Sequence, residues 1–221
     1  MKIIIPVLAM GLLFGCKSMK WKPEDSAALE NFQPIRGEHC ESSAILNMLH
    51  YEGYGITETQ IMGAGAVLGF MYELSEFPFL SGRTLTMREN LFNGLGIKWQ
   101  RGTEEKFGKG WEKIHSLLKE NHPVVLRVDM RYLPYLYGGK TGSKRTSFGW
   151  HMICLTGIDA EKQTALVTDT GQESVKVIKL SDLNRTRFSD TRIMPPHGEF
   201  FWVEKTPDNF SLTGKVPPWN H

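Results

Sequence analysis

Gly37-Glu38-His39-Cys40-Glu41-Ser42-Ser43-Ala44-Ile45-Leu46-Asn47-Met48-Leu49 is the stretch on which the reading of this chain turns. The spacing from Cys40 onward predicts a helix over 40–50. Cys40, Ala44 and Met48 share one face, and Ile45 and Leu49 flank it. A thiol is thereby placed in a first helical turn, where the positive end of the helix dipole favours thiolate, the form that attacks electrophiles. Cysteine is also among the most buried residue types, so a plain core role for Cys40 stands beside the reactive one.

Far downstream, His151 opens the strand-like run His151-Met152-Ile153-Cys154-Leu155, and a second run ends in Val167-Thr168-Asp169. Taken singly, His151 reads as a hydrogen-bonded core histidine and Asp169 as a turn cap ahead of Gly171. Taken together, a cysteine opening a helix, a distant histidine opening a strand and an acid on the next strand follow the chain order of a papain-like nucleophile, base and orienter. The backbone N–H of Cys40 would then face a developing oxyanion, with Gln33 and His39 as further candidate donors. His39 reads equally well as a packing or capping residue. Tyr132 and Tyr135 are candidates to line an acyl or sugar pocket, although loop aromatics are more often partial core. Asp129 is a candidate to replace Asp169 or to bind an amine, with turn capping as its ordinary explanation.

Working outward, 221 residues suffice for one domain with a substantial core. An apolar fraction of 41% and a charged fraction of 23% are those of an ordinary globule. A net charge of +2 without a basic stripe implies no nucleic-acid partner. Three cysteines make no disulfide framework, and the absence of any CxxC or HExxH pattern gives a metal site no support. A redox pair of Cys40 with Cys154 has no motif behind it either, and nothing calls for a cofactor.

The N-terminus carries Lys2, an apolar run over 3–14, then Gly15-Cys16-Lys17-Ser18. The run is too short for a stable span and has signal-peptide proportions. Leu13-Phe14-Gly15-Cys16 resembles a bacterial lipoprotein box. That resemblance implies a signal peptide over 1–16, a lipidated Cys16, and attachment to the cell envelope, at the outer membrane given Lys17 after the cysteine. The alternative is translation from Met19 and a cytoplasmic protein.

A polar linker over 17–31 leads into a domain over 32–205, and a proline-rich, loosely ordered tail over 206–221 follows. Helices are expected at 40–50, 57–62, 86–95, 111–120 and 180–187. Strands are expected at 124–128, 151–158, 164–169, 174–179 and 199–204. Gly63-Ala64-Gly65-Ala66-Val67-Leu68-Gly69 has the wrong spacing and context for a dinucleotide loop and reads as close backbone packing. Helices first and strands after make the fold class α+β, with the nucleophile helix packed on a C-terminal antiparallel sheet.

Several motifs in order then resemble one family. Gly37-x-His39-Cys40-Glu41-Ser42-x-Ala44-x-x-Asn47, Gly63-x-Gly65-x-x-x-Gly69-Phe70, Gly82-Arg83, Glu89-Asn90, Arg131-Tyr132-Leu133-Pro134-Tyr135, Gly149-Trp150-His151 and Leu183-x-x-x-Arg187-x-Ser189 are similar to the N-terminal domain of butirosin biosynthesis protein H. The resemblance implies a papain-like, peptidase C39-like fold and an enzyme that takes an acyl group onto cysteine. Carried over, it implies Cys40 as nucleophile, His151 as base and acid, and Asp169 as orienter. The expected partner is a small-molecule or peptide acyl substrate, or a carrier-protein thioester if the protein is cytoplasmic. An amine acceptor would make the chain an acyltransferase, and water would make it a hydrolase. A catalytically inactive lipoprotein that binds through the same fold is the alternative.

Overall fold

The computed structural model describes residues 22–65, 71–74, 80–83, 87–104, 109–136, 151–189 and 196–205. Cys16 with its leader, Trp150 and the tail over 206–221 lie outside them. Fourteen elements follow in order: β1 (Ala27–Ala28), α1 (Cys40–Tyr51), α2 (Glu58–Gly65), β2 (Met71–Leu74), β3 (Leu80–Arg83), α3 (Met87–Leu95), β4 (Trp99–Gly102), α4 (Lys109–Lys119), β5 (Val124–Val128), β6 (His151–Asp159), β7 (Thr164–Thr168), β8 (Lys176–Lys179), α5 (Leu180–Arg187) and β9 (Phe200–Val203).

The main sheet is antiparallel throughout, in the order β4-β9-β5-β6-β7-β8, with β1 added on β6. The fold is α+β, as the pattern of elements predicts. The first half is less purely helical than expected, because it also contains β1, the β2–β3 hairpin and β4.

Both faces of the sheet are covered. On one face, Val125, Met152, Cys154, Phe201 and Val203 meet Ile45, Met48 and Leu49 of α1 and Leu91, Phe92 and Leu95 of α3. On the other, Leu126, Ile153, Leu155 and Phe200 meet Trp111, Ile114 and Leu118 of α4. Two buried faces explain why β5, β6 and β9 read as continuous apolar runs. Burial of each such aliphatic side chain contributes about 1.5–3 kcal/mol.

The helix α1 is held at both ends. It finishes in a Schellman motif: the Tyr54 N–H donates to the Leu49 carbonyl (2.8 Å), the Gly53 N–H to that of His50 (3.1 Å), and Gly53 has φ +87°. Ser42 through Leu49 are all buried, so α1 runs through the interior with little polar face. Asn47 clamps the preceding segment along it, donating to Ile35 O (2.8 Å) and accepting from Ile35 N (2.9 Å). Gly65 is tight: a Cβ there would lie 2.4 Å from Met87 Cγ, which fits the close packing read from the glycines at 63–69.

Candidate active site

Cys40 is the first residue of α1 and half-buried. As a first helical residue, its N–H has no acceptor within the helix. The N-cap His39 contributes no side-chain cap. That task falls to Glu58 at the start of α2, whose carboxylate accepts from Glu38 N (2.8 Å), His39 N (3.1 Å) and Ser42 Oγ (2.7 Å). A partner 18 residues away thus fixes the turn that presents Cys40.

His151 opens β6 and Asp169 follows β7, at the same end of the sheet, because β6 and β7 pair with Cys154 opposite Thr168. Their side chains meet at 2.6 Å, His151 Nε2 to Asp169 Oδ1, and both are buried. The Cys40 thiol lies close enough to the imidazole to raise its affinity for a proton. With Nε2 committed to Asp169, Nδ1 is the nitrogen left for the sulfur. Burial alone would lower the His151 pKa, but the bond to Asp169 and the nearness of Cys40 outweigh it and raise it to about 10.

A backbone bond locks the two halves of this arrangement together. The Gly171 N–H, two residues past Asp169, donates to the Gly37 carbonyl, three residues before Cys40, at 2.8 Å. Gly171 has φ +67°, and a Cβ on Gly37 would lie 2.6 Å from Ser43 Oγ and 3.0 Å from Ser43 Cα. Each position needs glycine for its own reason.

Below the first turn of α1 lies a buried charge cluster. Arg88 Nε meets Glu41 Oε1 at 2.9 Å, Arg88 Nη1 meets Glu199 Oε1 at 2.6 Å, and Arg127 Nη1 meets Glu199 Oε2 at 2.8 Å. The cluster joins α1, α3, β5 and the lead-in to β9. Burial raises the Glu41 pKa to about 7, against the pull of Arg88.

Several sequence candidates stand elsewhere. Gln33 is exposed and runs beside the second half of α1, since Phe32 packs on Tyr51 (5.5 Å between ring centroids) and Ile35 is clamped to Asn47. Asn47 is seven residues beyond Cys40, about 10 Å along a helix. Its neighbours thus hold Gln33 beside the later turns of α1. The His39 side chain is at the mouth but 67% exposed, with Nδ1 3.9 Å from Glu58.

Asp129 is fully buried and bound to Arg131, with Nη2 to Oδ2 at 2.5 Å, and it accepts from Arg131 N at 3.0 Å. Burial works to raise its pKa, but the Arg131 bonds win and hold it below the ordinary carboxylate range. Asp129 is a turn cap, and the carboxylate that meets His151 is that of Asp169. Tyr132 lies under Arg185, 4.6 Å from guanidinium to ring, and so braces a loop. Tyr135 donates its hydroxyl to Asp169 Oδ2 at 2.8 Å.

A cleft of about 370 Å³ lies at the opposite end of α1, lined by Tyr51, Glu52, Gly53, Asn121 and Lys205 among others. It contains none of these side chains. Among the described residues no group of three His, Cys, Asp or Glu is placed to hold a metal ion.

Sequence reasoning missed Glu58, the Gly37–Gly171 bond, the Glu41–Arg88–Glu199–Arg127 cluster and the place of Tyr135. Only the glycines carried a signal. A glycine just ahead of the cysteine and another just after the acid are where two backbones would have to approach.

A search of curated proteins finds no match to the chain. A family model does match, over residues 39–170, which is more than half of the chain and includes Cys40, His151 and Asp169. On that match the chain belongs to the family described as butirosin biosynthesis protein H, N-terminal.

Proposed function

We propose that the protein is a cysteine-dependent acyltransferase or amide/thioester hydrolase of papain-like architecture, working through a thioester acyl-enzyme. The observation that carries this reading is the single imidazole of His151, bonded to the buried Asp169 carboxylate and close enough to Cys40 for the thiol to raise its proton affinity. A nucleophile, a base and an orienter within hydrogen-bond reach are what the chemistry requires. A helix bearing the cysteine, packed on an antiparallel sheet bearing the other two, supports the architecture.

The steps follow from the geometry. The Cys40 sulfur, its proton held by His151, attacks the substrate carbonyl carbon and a C–S bond forms. The carbonyl π electrons move to oxygen, and the Cys40 N–H donates to that oxyanion. In other enzymes, loss of one such donor costs about 2.7–4 kcal/mol. Collapse breaks the bond to the leaving amine or thiol, which departs with the proton from His151. An amine or a water then attacks the thioester and gives its proton to His151, and the Cys40 sulfur leaves as the thiolate. Asp169 keeps the ring in one tautomer and orientation throughout.

The test is direct acylation. Incubation with a small acyl thioester should add one acyl mass to the peptide containing Cys40. Discharge of that adduct by added amines marks a transferase, and discharge by water alone marks a hydrolase. No adduct on Cys40, or an equal adduct in His151→Gln, would defeat the reading. We extend the proposal to location: the native protein is held in the bacterial envelope through a lipidated Cys16. The mass of its N-terminal peptide should show diacylglyceryl on Cys16, and a chain beginning at Met19 would refute that.

A further inference from the structure

We propose that Tyr135 is a positioning residue, a fourth member behind Cys40, His151 and Asp169 that fixes the orientation of the Asp169 carboxylate through its hydroxyl. This rests on the reading of Cys40 as nucleophile. Asp169 has a buried side chain and shares its two oxygens between three donors. Oδ1 takes His151 Nε2 (2.6 Å) and the Thr170 N–H (2.7 Å), and Oδ2 takes the Tyr135 hydroxyl (2.8 Å). The carboxylate can turn about its last bond unless both oxygens are held. Among the described residues only Tyr135 donates to Oδ2. Without that bond Oδ1 keeps the Thr170 N–H but the plane of the carboxylate loses its second hold, and the ring loses its fixed aim.

The segment that delivers the phenol is built as a brace. Residues Met130–Tyr132 and Pro134–Leu136 form two short 3-10 turns after β5. Asp129 caps the first and pairs with Arg131, Tyr132 packs under Arg185 of α5, and Leu133 between the turns is fully buried in the core. The second turn lies against β8. The residues that looked like a substrate pocket in the sequence form instead the arm that presses Tyr135 onto Asp169. A phenol that merely satisfied a buried oxygen would affect stability alone. A positioning phenol must affect the sulfur as well, through Asp169 and His151.

The experiment measures the rate at which iodoacetamide alkylates Cys40 in the full chain, from pH 5 to 9, with the site identified by peptide mass. Tyr135→Phe keeps the ring and removes one oxygen. The expected result is a folded variant, by circular dichroism and thermal melting, whose Cys40 is alkylated about 3- to 10-fold more slowly at pH 7. In an Asp169→Ala background the same substitution should change the rate less than twofold, because Tyr135 acts through the carboxylate.

An unchanged or faster rate in folded Tyr135→Phe overturns the proposal. So does a full additional effect in the Asp169→Ala background, or a phenylalanine variant that does not fold. The wild-type rate separates this from the parent reading. If wild-type Cys40 reacts no faster than a free cysteine, the nucleophile assignment fails. If it reacts fast and Tyr135→Phe does too, only the role of Tyr135 fails.

Discussion

Two histidine–carboxylate pairs stand at opposite ends of α1. At its start, His151 Nε2 meets Asp169 Oδ1 at 2.6 Å, and at its finish His122 Nδ1 meets Glu52 Oε1 at 2.7 Å. Both carboxylate side chains are 1% exposed. Each pair also has a cysteine within its electrostatic reach. Cys40 acts on His151, whereas Cys154 feels Glu52 and sits opposite Thr168 in the sheet. Burial first, and then the Glu52 charge, push the Cys154 thiol up to about 12, so it stays protonated.

The helix dipole completes the contrast. Its positive end lies at Cys40, while its negative end lies beside Glu52. A histidine–carboxylate pair is therefore not a site by itself. What distinguishes the start of α1 is that the imidazole lies within electrostatic reach of a half-buried sulfur at a helix N-terminus.

The largest expected effect breaks the comparison at its sulfurs. Cys40→Ala should abolish rapid alkylation of the folded chain and all acyl-enzyme formation, a loss of at least about a thousandfold in turnover. Cys154→Ala should leave both within about twofold and cost stability through the lost packing. Peptide mapping after brief iodoacetamide treatment reads the outcome, and fast label on Cys154 would erase the distinction.

The next effect separates the two histidines. An ordinary thiol with pKa near 8.5 is only about 3% ionised at pH 7, and a lower pKa also makes the thiolate somewhat less nucleophilic. Removing the imidazole by His151→Gln should therefore slow Cys40 alkylation at pH 7 by about tenfold. His122→Gln should leave that rate within about twofold but lower stability by about 1–3 kcal/mol, since it leaves the buried Glu52 without its imidazole. Slow labelling in both variants would mean that α1 couples its ends, and the pairs would not be independent.

The residues that were legible in the sequence and those that were not differ in the range of the contacts that define them. Cys40, His151 and Asp169 each open or close an element, and apolar periodicity finds such ends. The strands at 124–128 and 151–158 were readable for the same reason. Gln33 misled because closeness in sequence to Cys40 is not closeness in space. The chain over 32–35 runs back along α1, held by Asn47. Trp99–Gly102 has almost no apolar pattern because β4 is an edge strand with an open side, and pairing with β9 defines it. Tyr135 and Glu58 act across 34 and about 18 residues, and no local period encodes such partners.

The pH dependence of stability sharpens the contrast further. The folded His151 pKa is raised above its ordinary 6.5 to about 10. The folded state thus binds the proton more tightly than the unfolded chain. The resulting stabilisation is fully present below about pH 6.5 and is lost as pH rises through about 10. The melting difference between wild type and His151→Gln should shrink by up to about 4 kcal/mol between pH 6 and 10.5. A difference that stays constant across that window would show that the ring is not charged in the folded protein.

The smallest effect concerns Glu41, which shares the first turn of α1 with Cys40 and has no counterpart at the other end. Its carboxyl is raised from 4.5 to about 7, chiefly by burial, and its side chain is only 13% exposed. A carboxyl raised on folding reverses the usual acid behaviour. Its stabilising contribution is complete below about pH 4.5 and is lost as pH climbs through 7. Glu41→Gln removes that ionisation. At pH 8 the substitution avoids burying a charge but gives up its attraction to Arg88, and it leaves Arg88 and Arg127 facing Glu199 alone. The raised pKa says that burial outweighs the attraction, so the variant should be neutral or more stable by about 1–3 kcal/mol at pH 8, with a flatter profile between pH 5 and 8. Urea melts at the two pH values measure this. Destabilisation by more than about 1 kcal/mol at pH 8 would make the four-charge cluster a net anchor of the nucleophile helix. Cys40 would then owe its position to Arg88 as much as to Glu58.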